Sequence, residues 1–351
     1  MKHFFIFWLV LTIPCFSQAQ NTWFGNGAGQ QGIEVTHFGE FTGQLSSSTS
    51  SYTSAYFGHE TGRRHNTGFA NTYFGSLVSS WGADGGYQNT FIGAFSASST
   101  ANNNANGVQN TFFGAVSGNN SRQNSLNTYL GIQTGISHNS TYTNNHNTIV
   151  GNQSNTSSVL AVNRMNNTWI GYDAGQGNGG SGNVFLGYNA GQGSTGSNQL
   201  FIENSSASTP LIYGNFASNA MGINTQQLTD GGTAYTLSIN GKMRANEVKV
   251  YTGWADYVFE KDYRLRSLRQ VKRYIQRHKH LPDVPSAREV KRKGIFVGET
   301  QATLLRKIEE LTLYMLAAHN TTQQLKIEAK QLKEGVVQLQ KRLAQLQTKS
   351  Q

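Results

Sequence analysis

The chain has 351 residues, 39 of them glycine, with a formal net charge of +10 at pH 7 and a single cysteine, Cys15. One thiol excludes a disulfide within the chain and a cysteine-based metal centre. The positive charge is confined to one part: residues 1–241 hold 5 Lys and Arg against 7 Asp and Glu, whereas residues 242–351 hold 23 against 11. This asymmetry predicts a domain boundary near Gly241.

Residues 1–19 have the pattern of a secretory signal peptide. Lys2 precedes an apolar run from Phe4 to Pro14, and the chain becomes polar after Ala19. The run is shorter than the roughly 20 apolar residues that span a bilayer. We therefore expect no transmembrane segment, and an exported protein that is extracellular or on the cell surface. Acylation of Cys15 is the alternative to simple cleavage, but Pro14 stands where such sites carry a small residue.

A five-residue motif, Asn-Thr-aromatic-aliphatic-Gly, recurs through residues 20–202. Its clearest copies begin at Asn21, Asn71, Asn89, Asn110, Asn127, Asn147, Asn167 and Asn183. With the weaker copies at 36–39 and 55–58, successive copies start 14 to 21 residues apart. Thr, aromatic and β-branched residues favour strands, and Gly and Asn favour the turns that end them. Because one short strand cannot bury an apolar face alone, the repeat predicts a β-roll or β-solenoid.

Alternation along each strand sends neighbouring side chains to opposite sides. We predict that the fourth residue of each copy fills the core, at Ile92, Phe113, Leu130, Val150, Ile170 and Leu186. The preceding aromatic residue would then face outward and contact a neighbouring chain or a foreign surface, at Phe91, Tyr129, Trp169 and Phe185. Two Ala-Gly pairs, in 172–175 and 188–191, predict second corners of the same coil.

The part of the chain after the repeats changes character. Residues 203–253 are predicted to be a β-structured connector, and residues 254–298 a small helical junction. Within the junction, apolar spacing predicts a helix that starts near Asp262 and stops before Pro282. A capping box and a terminal glycine predict a second, short helix within 286–294.

Residues 299–351 are predicted to be a coiled-coil oligomerisation helix. Seam positions alternate four and three apart from Leu304 to Leu346. Ala318, Thr322 and Ala329 hold three of them, and the larger apolar residues are Leu304, Ile308, Leu311, Met315, Leu325, Leu332, Val336, Leu339, Leu343 and Leu346. Six heptads of this kind form a seam about 65 Å long. Thr322 and Ala329 weaken its middle, and a single amphipathic helix folded onto a domain is the alternative. Leucine at d with Ile308 and Val336 at a would by itself favour a dimer.

These segments resemble known families of fibre proteins. The Asn-Thr-aromatic-aliphatic-Gly copies resemble the head repeats of trimeric autotransporter adhesins, which implies a parallel β-roll on each of three chains. The last 150 residues, including Trp254 to Phe259 and His280 to Ala287, look like the tail-fibre-like proteins of environmental Gram-negative bacteria. The first resemblance favours a homotrimer over a dimer.

A further likeness is to the C-terminal chaperone domain of phage tail spikes, which trimerises the fibre and then cleaves itself with a Ser-Lys dyad. Lys261 stands at the position of the serine and Arg266 at that of the lysine. Without a hydroxyl no acyl intermediate forms, and arginine does not lose its proton to act as a base. The resemblance therefore implies a relative that does not cleave itself.

Catalytic and ligand motifs do not emerge from the remaining residues. His278 and His280 lie near Asp283 and Ser286, but two histidines before Leu-Pro are typical of a packed turn. We predict no enzyme activity, no cofactor, no metal and no nucleic-acid partner. The basic run 288–293 is interpreted as a solvated helix face, or a contact with acidic polysaccharide or lipid head groups.

The expected function is a structural or adhesive surface fibre whose partner is itself, with polysaccharide or a host or matrix surface as the foreign ligand. A phage-tail-fibre-like receptor-binding module and a self-cleaving chaperone are the alternatives. The signal peptide favours the first, because phage-type fibres assemble in the cytoplasm.

Overall fold

The structure is a computed structural model and describes residues 22–25, 28, 35–43, 51–63, 68–80, 86–98, 107–118, 124–136, 144–154 and 163–349. The predicted signal peptide lies outside these residues. The chain divides into two compact units, Met1–Met243 and Arg244–Gln351. The division lies close to Gly241, where the charge of the sequence changes.

The first unit contains short strands, most of them three residues long. They are β1 (Thr22–Phe24), β2 (Thr36–Phe38), β3 (Ser51–Tyr52), β4 (Ala55–Phe57), β5 (Gly68–Phe69), β6 (Thr72–Phe74), β7 (Thr90–Ile92), β8 (Thr111–Phe113), β9 (Thr128–Leu130), β10 (Asn144–Asn145), β11 (Thr148–Val150), β12 (Arg164–Met165), β13 (Thr168–Ile170), β14 (Val184–Leu186), β15 (Gln199–Ile202), β16 (Ile212–Asn215), β17 (Ala220–Ile223), β18 (Thr229–Asp230), β19 (Thr233–Ala234) and β20 (Leu237–Ile239).

Each copy of the motif supplies one strand of a single long sheet, and the chain winds through about ten turns of a β-solenoid. The strands from β1 to β15 that belong to this sheet are parallel and pair in equivalent register, so that Thr111 lies beside Thr128 and Phe112 beside Tyr129. After β15 the pairing becomes antiparallel through β16 and β17. The repeat therefore predicted the solenoid correctly.

From His37 onward, the interior of the solenoid holds the third residue of each copy, usually an aromatic one, which corrects the predicted facing by one residue. Phe91, Tyr129, Trp169 and Phe185 are buried, together with Tyr56, Tyr73, Phe112 and Ile149 at the same position. The residues assigned to the core lie on the outside: Phe113, Leu130 and Ile170 are exposed, and Ile92, Val150 and Leu186 are only partly covered. The predicted outward contact at the four aromatic residues is therefore wrong.

Stacking explains why the rings are inside. Parallel strands lie about 4.7–4.9 Å apart, and the ring centroids of Tyr73, Phe91, Phe112 and Tyr129 follow at 4.9, 4.8 and 4.7 Å with nearly parallel planes. The opposite wall leaves room for them because its residues are small. Glycine faces Phe112 and Tyr129, and Ser79 and Ala97 hold the equivalent positions in the coils of Tyr73 and Phe91. A Cβ added at Gly135 would lie 2.2 Å from Cε2 of Tyr129.

A ladder of buried asparagines determines which residues of each strand face the interior. Alternation places the first residue of each copy on the same side as the aromatic third residue. Side-chain Oδ1 of Asn110 accepts from the backbone N and the Nδ2 of Asn127, both at 3.1 Å, and Nδ2 of Asn127 also donates to the carbonyl of Asn144 at 2.7 Å. The same bonds join Asn127 to Asn147 and Asn147 to Asn167. The polar groups of a buried residue are thus satisfied from coil to coil.

The turns use left-handed backbone, partly where the sequence predicted it. The motif glycines have φ between +117° and +143°, and a Cβ at Gly131 would lie 1.9 Å from the carbonyl oxygen of Gly151. Asp173 and Asn189 are also left-handed, so the two predicted second corners are confirmed. The asparagine that opens each copy is not the left-handed residue, since the residue before it, such as Gln109 or Leu126, takes that conformation.

The second unit contains three helices, α1 (Leu268–His278), α2 (Ala287–Lys293) and α3 (Val297–Lys349). Ser286 and Glu289 form the predicted capping box of α2, which ends at Gly294. The expected start of α1 near Asp262 is wrong, because Ser267 caps the helix in a box with Gln270. α3 is one continuous helix of 53 residues, about 80 Å long.

Candidate functional site

One face of α3 is held by the preceding residues of its own unit. Arg306 donates to the hydroxyl of Tyr257 at 3.2 Å, and Tyr263 donates to a carboxylate oxygen of Glu310 at 2.6 Å. Lys307 Nζ lies 3.1 Å from Asp283 Oδ2 and 2.9 Å from Glu310 Oε2. These bonds fix which side of α3 is covered.

Ionisation of the groups in this contact follows from their surroundings. Desolvation opposes ionisation of Asp283, but the hydrogen bond and charge of Lys307 and the charge of Arg266 outweigh it and lower the pKa of that carboxyl. Desolvation, together with the adjacent Glu310, raises the pKa of Tyr263 above its ordinary value. The phenol therefore stays protonated and remains a donor to the carboxylate.

The predicted seam lies beside this held face of α3, and it is open. Leu304, Ile308 and Leu311 are 52, 60 and 58% exposed although they flank residues that are held. The rest of the seam is equally open, at Met315, Leu325, Leu332, Val336, Leu339, Leu343 and Leu346. A helix face with apolar residues four and three apart, left uncovered by its own chain, is a surface suited to another helix.

A second apolar surface runs along the outside of the solenoid. It consists of the last residue of each motif strand and is named the outer row: Phe24, Phe38, Phe57, Phe74, Ile92, Phe113, Leu130, Val150, Ile170, Leu186 and Ile202. At one end the rings of Phe24 and Phe38 stack with centroids 5.3 Å apart. Eleven strands at the spacing of a sheet make this row roughly 50 Å long. None of its strands contains Asp, Glu, Lys or Arg.

The residues considered for catalysis have structural contacts instead of a shared site. Nδ1 of His280 lies 3.0 Å from the carbonyl of Leu281, and Ser286 is occupied by the cap of α2. Asp283 pairs with Arg266 and Lys307. Lys261 is exposed. Within the described ranges, no group of three His, Cys, Asp or Glu side chains is arranged to hold a metal ion.

The sequence identified the seam but missed the outer row. The signal was present, because the buried asparagine two residues before each aromatic indicates which residues share a side of the strand. In several copies a small residue and a glycine follow the strand, as in Ser117-Gly118 and Thr134-Gly135, and they also mark the wall that faces the ring.

Comparisons of this chain with protein-family models, with curated proteins and with solved structures found no match. Of the helices in the described residues, none has the length and apolar character that crossing a membrane requires. The function is therefore inferred from the two open apolar surfaces.

Proposed function

We propose that this chain is an exported structural or adhesive surface fibre that assembles from copies of itself through a coiled coil formed by α3. The observation that carries the proposal is the orientation of α3. Its own unit binds the face with Arg306, Lys307 and Glu310, and leaves Leu304 and Ile308 of the seam outward. A helix held in this way presents its apolar face to a neighbour.

The exposed seam is large enough for its burial to hold two or more chains together. It extends from Leu304 to Leu346, and burying a fully exposed leucine stabilises by about 1.5–3 kcal/mol. Because the ten seam residues are 52–72% exposed, covering all of them on each of two chains would stabilise by roughly 18–36 kcal/mol, which exceeds the cost of associating the two chains, about 4–15 kcal/mol. The number of chains in the proposed assembly is three, as the resemblance to trimeric adhesins implies, and a dimer is the alternative.

The test replaces two seam leucines with a charged residue in the full-length protein. Leu332→Asp with Leu339→Asp places unpaired carboxylates at d positions, where burial is strongly unfavourable. Gln331→Asp with Gln338→Asp is the matched control, because it adds the same charge at neighbouring exposed positions. Sedimentation velocity at micromolar concentration should show monomers for the leucine variant and oligomers for the control. Monomeric wild-type protein would refute the proposed assembly.

The outer row supports a second contact between copies. It is apolar, uncharged and longer than scattered surface residues would explain, and identical chains joined by α3 meet at raised effective concentration. The alternative is a stripe that adheres to a foreign surface, which corresponds to the adhesive form of the same function.

Cross-linking separates the two forms. Because Cys15 is the one cysteine in the sequence, Cys15→Ser gives a background without thiols. Leu130→Cys in that background should form a disulfide between chains if the outer row is a contact between copies, whereas Asn152→Cys, exposed on another face, should not. If Leu130→Cys stays reduced in an intact oligomer, the row is open and the adhesive form is favoured.

A further inference from the structure

A cavity of about 420 Å³ lies beside the first turns of α3, within the second unit. Its walls are apolar and come from three places in the chain: Leu268 and Val271 of α1, Leu281 after it, and Leu304, Ile308 and Leu311 of α3. Most of these side chains are exposed. The cavity is therefore an unfilled apolar groove between α1 and α3.

The polar groups at the rim of the cavity are engaged within the chain. Arg266 pairs with Asp283 at 3.0 Å, and Lys307 pairs with Asp283 and Glu310. The hydroxyl of Tyr314 donates to the backbone carbonyl of Arg266. Because these charges already have partners, the rim offers little to a charged ligand, and the chemistry of the walls indicates an apolar occupant.

Three of the wall residues, Leu304, Ile308 and Leu311, also belong to the seam of α3. A helix that covers the seam at these three residues must also cover the cavity. In a parallel coiled coil, equivalent layers of the helices lie at the same level. The occupant indicated by this geometry is consequently the same segment of α3 from a second copy of the chain.

We propose that the cavity receives α3 of a neighbouring copy, so that α1 of one chain packs against α3 of the next. This rests on the proposed self-association of α3. α1 then acts as a collar: Leu268 and Val271 become part of the core between chains at the start of the coiled coil. Contact at this one level would set which part of the neighbouring α3 lies beside Val271, namely the segment with Leu304, Ile308 and Leu311.

The test uses two full-length chains with tags of different mass, both carrying Cys15→Ser. One chain has Val271→Cys and the other Ile308→Cys, so that a disulfide joining these two positions must link two molecules. The matched control replaces Val271→Cys with Lys272→Cys, the exposed neighbour on α1. After co-expression and mild oxidation, we expect a mixed dimer on a denaturing gel, at least fivefold stronger for Val271→Cys than for Lys272→Cys.

Sedimentation of the same samples separates the collar from the proposed function. An assembled oligomer with no more mixed disulfide than the control would overturn the collar and leave the coiled coil intact. Monomeric samples would overturn both.

Discussion

Asn127 offers the sharpest test of the solenoid interior. Its Oδ1 accepts from the N and Nδ2 of Asn147 at 2.9 and 3.1 Å, and its Nδ2 donates to Asn110 Oδ1 at 3.1 Å and to the carbonyl of Asn144 at 2.7 Å. Asn127→Ala removes all four bonds at once from the middle of the ladder.

The expected loss can be estimated from these bonds. A net contribution of about 1 kcal/mol per hydrogen bond gives roughly 4 kcal/mol for the four, and a buried N–H of Asn147 left without an acceptor adds about 1–3 kcal/mol. We expect Asn127→Ala to lower the free energy of unfolding by roughly 5–7 kcal/mol. Asn127→Asp keeps the size of the side chain but loses both donors and buries a carboxylate, so it should be at least as damaging at neutral pH.

Urea denaturation followed by tryptophan fluorescence, to which the buried Trp169 contributes, measures this loss. All variants are compared at one protein concentration, because assembly shifts apparent stability. Asn152→Ala is the control, since Asn152 is exposed and its Oδ1 accepts one bond, from the N of Ile132 at 3.1 Å. It should cost less than about 1 kcal/mol. A loss for Asn127→Ala within about 1 kcal/mol of this control would refute the ladder as a source of stability.

Three further outcomes are expected for the solenoid. Tyr129→Ala should lower the free energy of unfolding by about 3–5 kcal/mol and Leu130→Ala by much less in a monomeric background, by urea denaturation, because Tyr129 is 0% and Leu130 44% exposed; equal losses would contradict the observed facing. Gly135→Ala should lower the melting temperature strongly, because the new Cβ would meet the Tyr129 ring at a backbone with φ of +64°, and an unchanged melting curve would contradict this. Burial lowers the pKa of His37 from 6.5 to about 4. Between these two pH values the unfolded chain binds a proton at His37 that the folded chain does not. The free energy of unfolding should therefore be highest above pH 6.5 and should fall by roughly 3 kcal/mol as the pH drops to about 4. His37→Phe should remove this pH dependence in denaturation curves, and its persistence would show that another group is responsible.

The solenoid could be predicted from the sequence because its repeat is explicit, whereas the facing of its strands could not be read from hydrophobicity. Both Tyr129 and Leu130 are apolar enough for a core, so alternation alone leaves two solutions that differ by one residue. The choice is made by Asn127 and Gly135. Asn127 can be buried because the hydrogen bonds of its side-chain amide continue from coil to coil. Gly135 leaves space in the wall opposite the ring of Tyr129.

The features of α3 and α1 likewise include some that the sequence predicts and some that it does not. The seam of α3 followed from its spacing, because four-and-three periodicity needs no knowledge of the rest of the chain. The held face of α3 could not be predicted, because the hydrogen bond from Tyr263 to Glu310 joins residues far apart in sequence. The start of α1 was misplaced because Leu265 fits the apolar spacing, while Ser267 and Gln270 decide the boundary through their reciprocal bonds.

The burial of the rings changes the physical argument for the number of chains. If the aromatic residues had faced outward, each strand would have needed a neighbouring roll to cover its second apolar side. Tyr129 and Trp169 are instead buried within one chain, and the ladder around Asn127 is satisfied there too. The hydrophobic core of the solenoid is thus built within one chain, and neighbours in the proposed assembly would cover only the outer row and the seam of α3. It follows that charged substitutions in the outer row, such as Ile170→Asp, should leave the solenoid folded, and that the number of chains in the proposed assembly would be set by how the a and d residues of α3 pack.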